Sequence, residues 1–192
     1  MNKFKDSMSK EEINLLPLGE FSGKIHLITN SKDADDAVKV LKRSKILGFD
    51  TETRPAYKKG ESYNVSMIQL ANEQDVFIFR INLFQITDSM LDLLSSEKII
   101  KAGVAIRDDI KGINKLRNFE QGGFVELAQL AKENKINSFG LRGLAAITLG
   151  VRISKSAKLT NWEKRNLNHI QLKYAATDAW VGREIYLKLT NS

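Results

Sequence analysis

The sequence contains no cysteine and only two histidines among its 192 residues. Without cysteine, the chain can form no disulfide framework and no disulfide-linked partnership, and thiol chemistry is excluded. It also lacks an apolar run of the ~20 residues that a membrane helix needs. Residues 1–20 include no apolar core of signal-peptide length. These absences predict a soluble, cytoplasmic protein with no membrane partner.

The charged residues are unevenly balanced, with 30 Lys and Arg against 23 Asp and Glu, which gives a net charge of +7. Such an excess suits a polyanionic partner, although many soluble proteins are basic for no specific reason. Hydrophobic residues make up 42% of the chain, enough to bury one sizeable core. We predict an N-terminal extension over residues 1–20 and a single domain over residues 21–192.

Strand and helix patterns alternate along the first half of the chain, which predicts an α/β fold with a central mixed β-sheet flanked by helices. A strand pattern (KIHLIT) is followed by a helix that Ser31 could cap and by a second strand (KILGFDTE). Two more strand patterns surround the Asn72-Glu73 turn and predict a meander of neighbouring strands. A helix near SMLDLLSS, a strand at KIIKAG and mainly helical segments complete the prediction.

Two acidic residues, Asp50 and Glu52, come at the end of the predicted buried strand over residues 45–49. In extended chain the i, i+2 spacing sends both side chains to the same side. Carboxylates are costly to bury without a metal or a paired charge. A polar rim or a turn entry is the alternative interpretation of this motif.

Two adjacent aspartates follow Ile106 in a stretch with helical periodicity. Ile106, Ile110 and Ile113 mark the apolar stripe, and Asp109 falls within it, whereas Asp108 points nearly opposite. Asp109 is therefore predicted to face inward. A salt-bridged core aspartate is the alternative in so basic a chain.

A third acid, Asp178, shares one face of a long predicted helix with Tyr174, one turn earlier, and with three apolar residues, Val181, Ile185 and Leu189. Tyr174 alone could be a core aromatic whose hydroxyl finds a partner. The four acids together offer only oxygen donors, in a chain with few histidines and no cysteine. This donor set favours a hard cation, Mg²⁺ or Mn²⁺, over zinc.

The three motifs GFDTET, GVAIRDDI and KYAATDAW resemble those of the DEDDy group of 3′-5′ exonucleases, which includes ribonuclease D and Werner-type exonuclease domains. The third motif is the most specific, because relatives outside this group place a His five residues before the Asp, where this chain has Lys173. VSMIQLA and residues 147–180 also resemble family segments, so the similarity extends from Ile25 to Leu189. Asp108 stands where relatives often carry Gly.

The resemblance implies a ribonuclease H-like exonuclease fold and two-metal-ion phosphodiester hydrolysis with two Mg²⁺ or Mn²⁺ ions. It implies that Asp50 bridges both ions, that Glu52 and Asp178 help to hold the ion on the nucleophile side, and that Asp109 acts mainly on the other ion. Tyr174 would orient the attacking water. Catalytic roles are thus expected for Asp50, Glu52, Asp109, Tyr174 and Asp178.

A basic segment between Arg152 and Lys173 predicts a surface for nucleic acid, and the family resemblance implies that this partner has a free 3′ end. Lys155, Lys158 and Arg165 suit backbone phosphates, and Trp162 suits a stacked base. The alternative for Trp162 is a buried ring that holds a solvated loop. The stretch Asn161-Trp162-Glu163 looks more like the Werner-type version, which favours DNA over RNA.

Two other functions are compatible with these motifs. One is a catalytically silent nucleic-acid-binding module, and the other is a hydrolase of short oligonucleotides on the same architecture. All four acids and the tyrosine are present in the sequence. The complete set favours an active exonuclease.

Overall fold

A computed structural model describes residues 4–191, so residues 1–3 of the predicted extension and Ser192 of the predicted domain lie outside the described residues. A six-stranded mixed sheet with helices on both faces confirms the predicted fold class. The strands are β1 (Lys24–Ile28), β2 (Ile46–Thr53), β3 (Val65–Ala71), β4 (Asp75–Phe79), β5 (Ile100–Gly103) and β6 (Phe124–Glu126). The helices are α1 (Lys10–Leu15), α2 (Ser31–Leu41), α3 (Asp88–Ser95), α4 (Ile106–Leu116), α5 (Leu127–Glu133), α6 (Leu141–Leu149) and α7 (His169–Thr190).

The strand order across the sheet is β1-β4-β3-β2-β5-β6. β2, β3 and β4 are antiparallel neighbours, which confirms the predicted meander, and Asp50 of β2 lies directly opposite Gln69 of β3. The pairs β1 with β4, β2 with β5, and β5 with β6 are parallel. The sequence prediction missed β6, because three residues are too few to give a periodic signal.

The sheet separates two hydrophobic layers. Leu47 and Phe49 of β2 lie in the layer that the sheet shares with α2, α3 and α4. α7 packs across the opposite face, and Gly48 makes this close approach possible, since a Cβ there would lie 1.8 Å from the carbonyl oxygen of Ala179. Side chains alternate along a strand, so Asp50 and Glu52 share the α7 face with Gly48.

One local prediction is corrected. The N-cap of α2 is Asn30, whose Oδ1 accepts a hydrogen bond of 2.9 Å from the Asp33 N–H, and Ser31 is the first helical residue. The α6–α7 segment (residues 151–168) is irregular. The buried side chain of Arg80 holds it, because Nη2 donates to the carbonyl oxygen of Lys164 at 2.6 Å.

The described part of the N-terminal extension packs against the rest of the chain. The Gly19 N–H donates to the carbonyl oxygen of Arg152 at 2.8 Å, and the Arg152 N–H donates to that of Pro17 at 2.9 Å. Ile13 of α1 is buried. The division of the chain at residue 20 stays a prediction. In the part of the chain that the structure describes, no helix has the length and apolar character needed to cross a membrane.

Candidate active site

Three carboxylates meet where the end of β2 faces α7. Asp50 and Glu52 come from the strand and Asp178 from the helix, and one carboxylate oxygen of each lies within 4.8 Å of the other two. The i, i+2 spacing places the strand acids on one face, and the contact of α7 with Gly48 brings Asp178 onto that face. Local periodicity and close packing together therefore assemble the cluster.

Asp109 reaches the same strand from the other layer. Its carboxylate accepts a hydrogen bond from the hydroxyl of Thr51, the residue between the two strand acids. Thr51 points away from the α7 face, which explains why Asp109 stands outside the group of three. Asp109 is partly buried, whereas the side chain of Asp108 is 90% exposed and pairs with Lys111. The helical phase therefore predicted the orientation of both aspartates.

The first turn of α4, which carries Asp109, is fixed by a residue of β6. The carboxylate of Glu126 accepts hydrogen bonds of 3.1 Å from the backbone N–H groups of Ala105 and Ile106. Ala105 has a φ of 59°, in the left-handed region. A carboxylate at the start of a helix also interacts favourably with the helix dipole. The sequence prediction missed Thr51 and Glu126. Each of them contacts an element other than its own, and no periodic signal in the sequence marks such a contact.

An open cavity of about 460 Å³ contains the cluster. Asp50, Glu52, Asp178 and Tyr174 line it together with two residues of the predicted nucleic-acid surface, Lys155 and Lys158. Arg165 is exposed outside this lining. The structure thus places two of the predicted phosphate contacts beside the acids.

The pKa values of the acids are raised, mainly by burial. For Asp50 the pKa lies well above its usual value, because burial is reinforced by the charges of Asp178 and Glu52. Burial and the charge of Asp178 raise the pKa of Glu52 to about 9. For Asp178, burial raises the pKa to about 7 against the opposing effects of Tyr174 and Lys158. The pKa of Asp109 is raised to about 6 by burial, opposed by the Thr51 hydrogen bond.

These pKa shifts indicate a site that needs a cation to hold it in its charged form. Among residues 4–191 no salt bridge joins Asp50, Glu52 or Asp178 to a basic side chain. Carboxylate oxygens are the ligands that Mg²⁺ and Mn²⁺ prefer. The donor set therefore fits a hard divalent cation.

Tyr174 is partly buried beside Asp178, and Trp162 supports its ring. The Trp162 side chain is 0% exposed, and its ring centroid lies 6.0 Å from that of Tyr174. A ring without an exposed face cannot stack on a base, so the predicted stacking role of Trp162 is wrong and the buried alternative holds. Burial and the neighbouring acids raise the pKa of the Tyr174 hydroxyl, which keeps it protonated.

The family match and two similar relatives indicate the same kind of protein. Residues 25–192 match the 3′-5′ exonuclease family. The chain is 35% identical over 188 residues to the mouse bifunctional 3′-5′ exonuclease/ATP-dependent helicase WRN, which covers 92% of this chain and 13% of that protein. It is 28% identical over 194 residues to the ribonuclease D of Bartonella henselae, covering 96% of this chain and 45% of that protein. The chain thus spans less than half the length of either relative.

The fold is shared with solved exonuclease structures. The Nibbler EXO domain of Aedes aegypti superposes with a TM-score of 0.81 at 22% identity, covering 90% of this chain and 91% of that one. The sheet and its helices are therefore the ribonuclease H-like exonuclease fold that the sequence motifs implied.

Proposed function

The chain belongs to the 3′-5′ exonuclease family, and from that membership we propose that it removes nucleotides from the 3′ end of nucleic acid by two-metal-ion phosphodiester hydrolysis. The observation that carries the proposal is the group of three carboxylates within 4.8 Å in an open cavity that Tyr174 and two lysines also line. A silent binding module would have no need of so costly a group of acids, of which Asp178 is buried and Asp50 and Glu52 are partly buried.

The acids are proposed to divide the work of holding two Mg²⁺ or Mn²⁺ ions. Asp50, Glu52 and Asp178 would be ligands of the metal site, with Glu52 and Asp178 toward the nucleophile, and Asp109 would act mainly on the other ion. When bound, the two cations stabilise the negative charge on the entering and leaving oxygens of the scissile phosphate. Asp109 fits the second position because the Thr51 hydrogen bond orients its carboxylate, and its charge reaches Asp50 and Glu52, whose pKa values it helps to raise.

Tyr174 is proposed to orient the attacking water. Its hydroxyl has a raised pKa, so at neutral pH it is a hydrogen-bonding group and a poor general base. Trp162 fixes the ring from the buried side. The tyrosine can therefore act by position, next to Asp178.

The substrate is proposed to be a strand with a free 3′ end, with DNA preferred over RNA. Lys155 and Lys158 line the cavity and can contact phosphates, while Arg165 extends the positive surface beyond it. Such contacts act on either nucleic acid. The preference for DNA is based on the likeness of residues 161–163 to the Werner-type sequence.

The test is digestion of a 5′-labelled single strand with Mg²⁺ or Mn²⁺. The expected product is a descending ladder that chelation abolishes and that a 3′-terminal block prevents. Matched DNA, recessed duplex DNA and RNA substrates measure the preference. Equal degradation of blocked and open strands would exclude exonuclease action, and cleavage confined to very short oligomers would favour the oligonucleotide hydrolase.

A further inference from the structure

The loop between β2 and β3 (residues 54–64) is tied to the α6–α7 segment at two points. Arg54 Nη1 lies 3.2 Å from Glu163 Oε2, and the Tyr57 hydroxyl donates a hydrogen bond of 2.9 Å to the carbonyl oxygen of Leu159. Both ends of the second contact lie close in sequence to residues of the catalytic cavity. Thr53, which lines the cavity, comes just before the loop, and Lys158, which also lines it, comes just before Leu159. The Tyr57–Leu159 hydrogen bond therefore connects the two walls of that cavity at its rim.

Tyr57 has a fixed hydroxyl and an open ring. The residue is 73% exposed although its hydroxyl is bonded, so the contact with Leu159 limits the ring's movement while the solvent side remains free. Lys58 and Lys59 follow it and are exposed. A second cavity, of about 380 Å³, lies beside Tyr57 and is lined by loop residues that include Arg54, Lys58 and Glu61, and by Asn161 of the α6–α7 segment. An exposed aromatic ring followed by two exposed lysines suits a base and its phosphate.

We propose that Tyr57, with Lys58 and Lys59, forms a stacking surface for the unpaired nucleotides that precede the 3′-terminal nucleotide. This inference rests on the proposed exonuclease function, because it takes the strand to leave the catalytic cavity across its rim. The surface is sequence-tolerant, since every base has a face that can stack. It also favours a single strand, because the faces of bases inside a duplex are covered by the neighbouring base pairs.

The test compares the cleavage of single-stranded DNA oligomers of increasing length. Tyr57→Ala should lower kcat/KM about tenfold on an octanucleotide, by the scale of one lost stacking contact, and much less on a dinucleotide, which is too short to reach the rim. Tyr57→Phe should keep most of the wild-type increase of kcat/KM with oligomer length, because it keeps the ring. Leu27→Ala, an exposed change on the edge strand β1, is the control.

If Tyr57→Ala cleaves the octanucleotide as well as the wild type does, or loses equally at all lengths, the stacking surface is overturned. The wild-type ladder would in that case still support the exonuclease function. Absence of any wild-type cleavage would instead remove the proposed function itself. Photo-crosslinking of 5-iododeoxyuridine placed at successive positions gives an independent measurement. A crosslink to Tyr57 from an internal position supports the surface, and crosslinks confined to other residues contradict it.

A separate observation concerns Gln69, whose buried amide has no partner. Gln69 is 0% exposed, and neither its side-chain nitrogen nor its side-chain oxygen has a hydrogen-bond partner in the described structure. It lies directly opposite Asp50 in the pairing of β2 with β3, so both side chains are on the α7 face. An unpaired buried amide costs stability that an apolar side chain of the same length would not.

We infer that the amide of Gln69, which has no hydrogen-bond partner among the described residues, hydrogen-bonds the carboxylate of its register partner Asp50 when that carboxylate binds metal. Gln69→Met removes the amide at nearly constant length, so without metal the melting temperature should rise by about 2 to 4 °C. The affinity for Mn²⁺, measured by calorimetry, should fall about tenfold, the scale for a group that orients a ligand. Ile68→Val is the packing control on the neighbouring position. Unchanged Mn²⁺ affinity would reduce Gln69 to a packing residue.

Discussion

The hydroxyl of Thr51 donates a hydrogen bond to the carboxylate of Asp109 across the boundary between β2 and α4. This contact links the residue between the two strand acids to the one catalytic candidate that approaches from the other layer of the fold. It places Asp109 at a position fixed relative to Asp50 and Glu52. The orientation of Asp109, the proposed ligand of a second cation, therefore depends on a neutral side chain.

Replacement of Thr51 by Val keeps the shape and removes the hydroxyl. We expect kcat to fall about tenfold, because Asp109 loses the group that orients it, on the scale known for residues that support metal ligands. Thr51→Ser should retain most of the activity. The measurement is single-turnover cleavage at saturating metal, with circular dichroism as a check on folding. Equal rates for the Val and Ser variants would contradict this role.

The adjacent aspartates should differ sharply. Asp109→Asn is expected to remove most of the activity, because it weakens the proposed ligand of the second ion. Asp108→Asn should change the rate little, since its side chain is 90% exposed and its partner is the surface residue Lys111. The two purified variants are compared by the ladder assay. A larger loss for Asp108→Asn would reverse the assignment.

Tyr174→Phe tests the positioning of water. The ring and its contact with Trp162 remain, and only the hydroxyl is lost. We expect the rate to fall about 10²-fold, while Mn²⁺ binding measured by calorimetry is kept. Turnover equal to that of the wild type would leave Tyr174 as a packing residue.

The stability of the metal-free protein should fall as pH rises. The folded-state pKa values of Asp178 and Glu52, about 7 and about 9, lie above the ordinary values of 3.8 and 4.5, so the folded protein binds more protons than the unfolded chain in this interval. The stabilisation by these bound protons is complete below the ordinary pKa values and is lost as the pH rises through the folded-state pKa values. Melting with a chelator at about pH 5.5 and about pH 8.5 measures it.

Two controls accompany this melting experiment. Asp178→Asn should flatten the dependence, because it removes one titrating group and one repulsive charge. Divalent metal should stabilise the wild type more at the higher pH, where the acids are deprotonated and available as ligands. The assigned pKa shifts would be contradicted if the metal-free protein melted at a higher temperature at about pH 8.5 than at about pH 5.5 and if Asp178→Asn left this difference unchanged.

Binding to DNA should depend steeply on salt. Replacing Lys155, Lys158 and Arg165 together by Ala should weaken binding and flatten the plot of log affinity against log salt, because fewer counterions are released. The carboxylate ligands themselves remain, but the loss of Lys158 removes a charge that lowers the pKa of Glu52 and Asp178, so metal affinity is measured separately for each variant. Fluorescence anisotropy between about 50 and about 200 mM salt gives the slope. An unchanged slope would place the phosphate contacts elsewhere. In the separate cleavage assay, cleavage of RNA but not of DNA would overturn the DNA preference.

The sequence by itself determined the side of each element on which the key residues lie. The period of the strand put Asp50 and Glu52 on one face, and the period of the helix separated Asp109 from Asp108. It also predicted the meander and the donor set for a hard cation. These properties are local, because they depend on residues a few positions apart along one element.

Only the tertiary structure decided which of these faces meet. The close approach of α7 to Gly48 sets the distance from Asp178 to the strand acids, and the hydrogen bond from Thr51 joins residues that are 58 positions apart. The burial of Trp162 and the unpaired amide of Gln69 depend on the layers packed over them. Such contacts join residues far apart in the chain, and a periodic pattern carries no information about the surface that covers it.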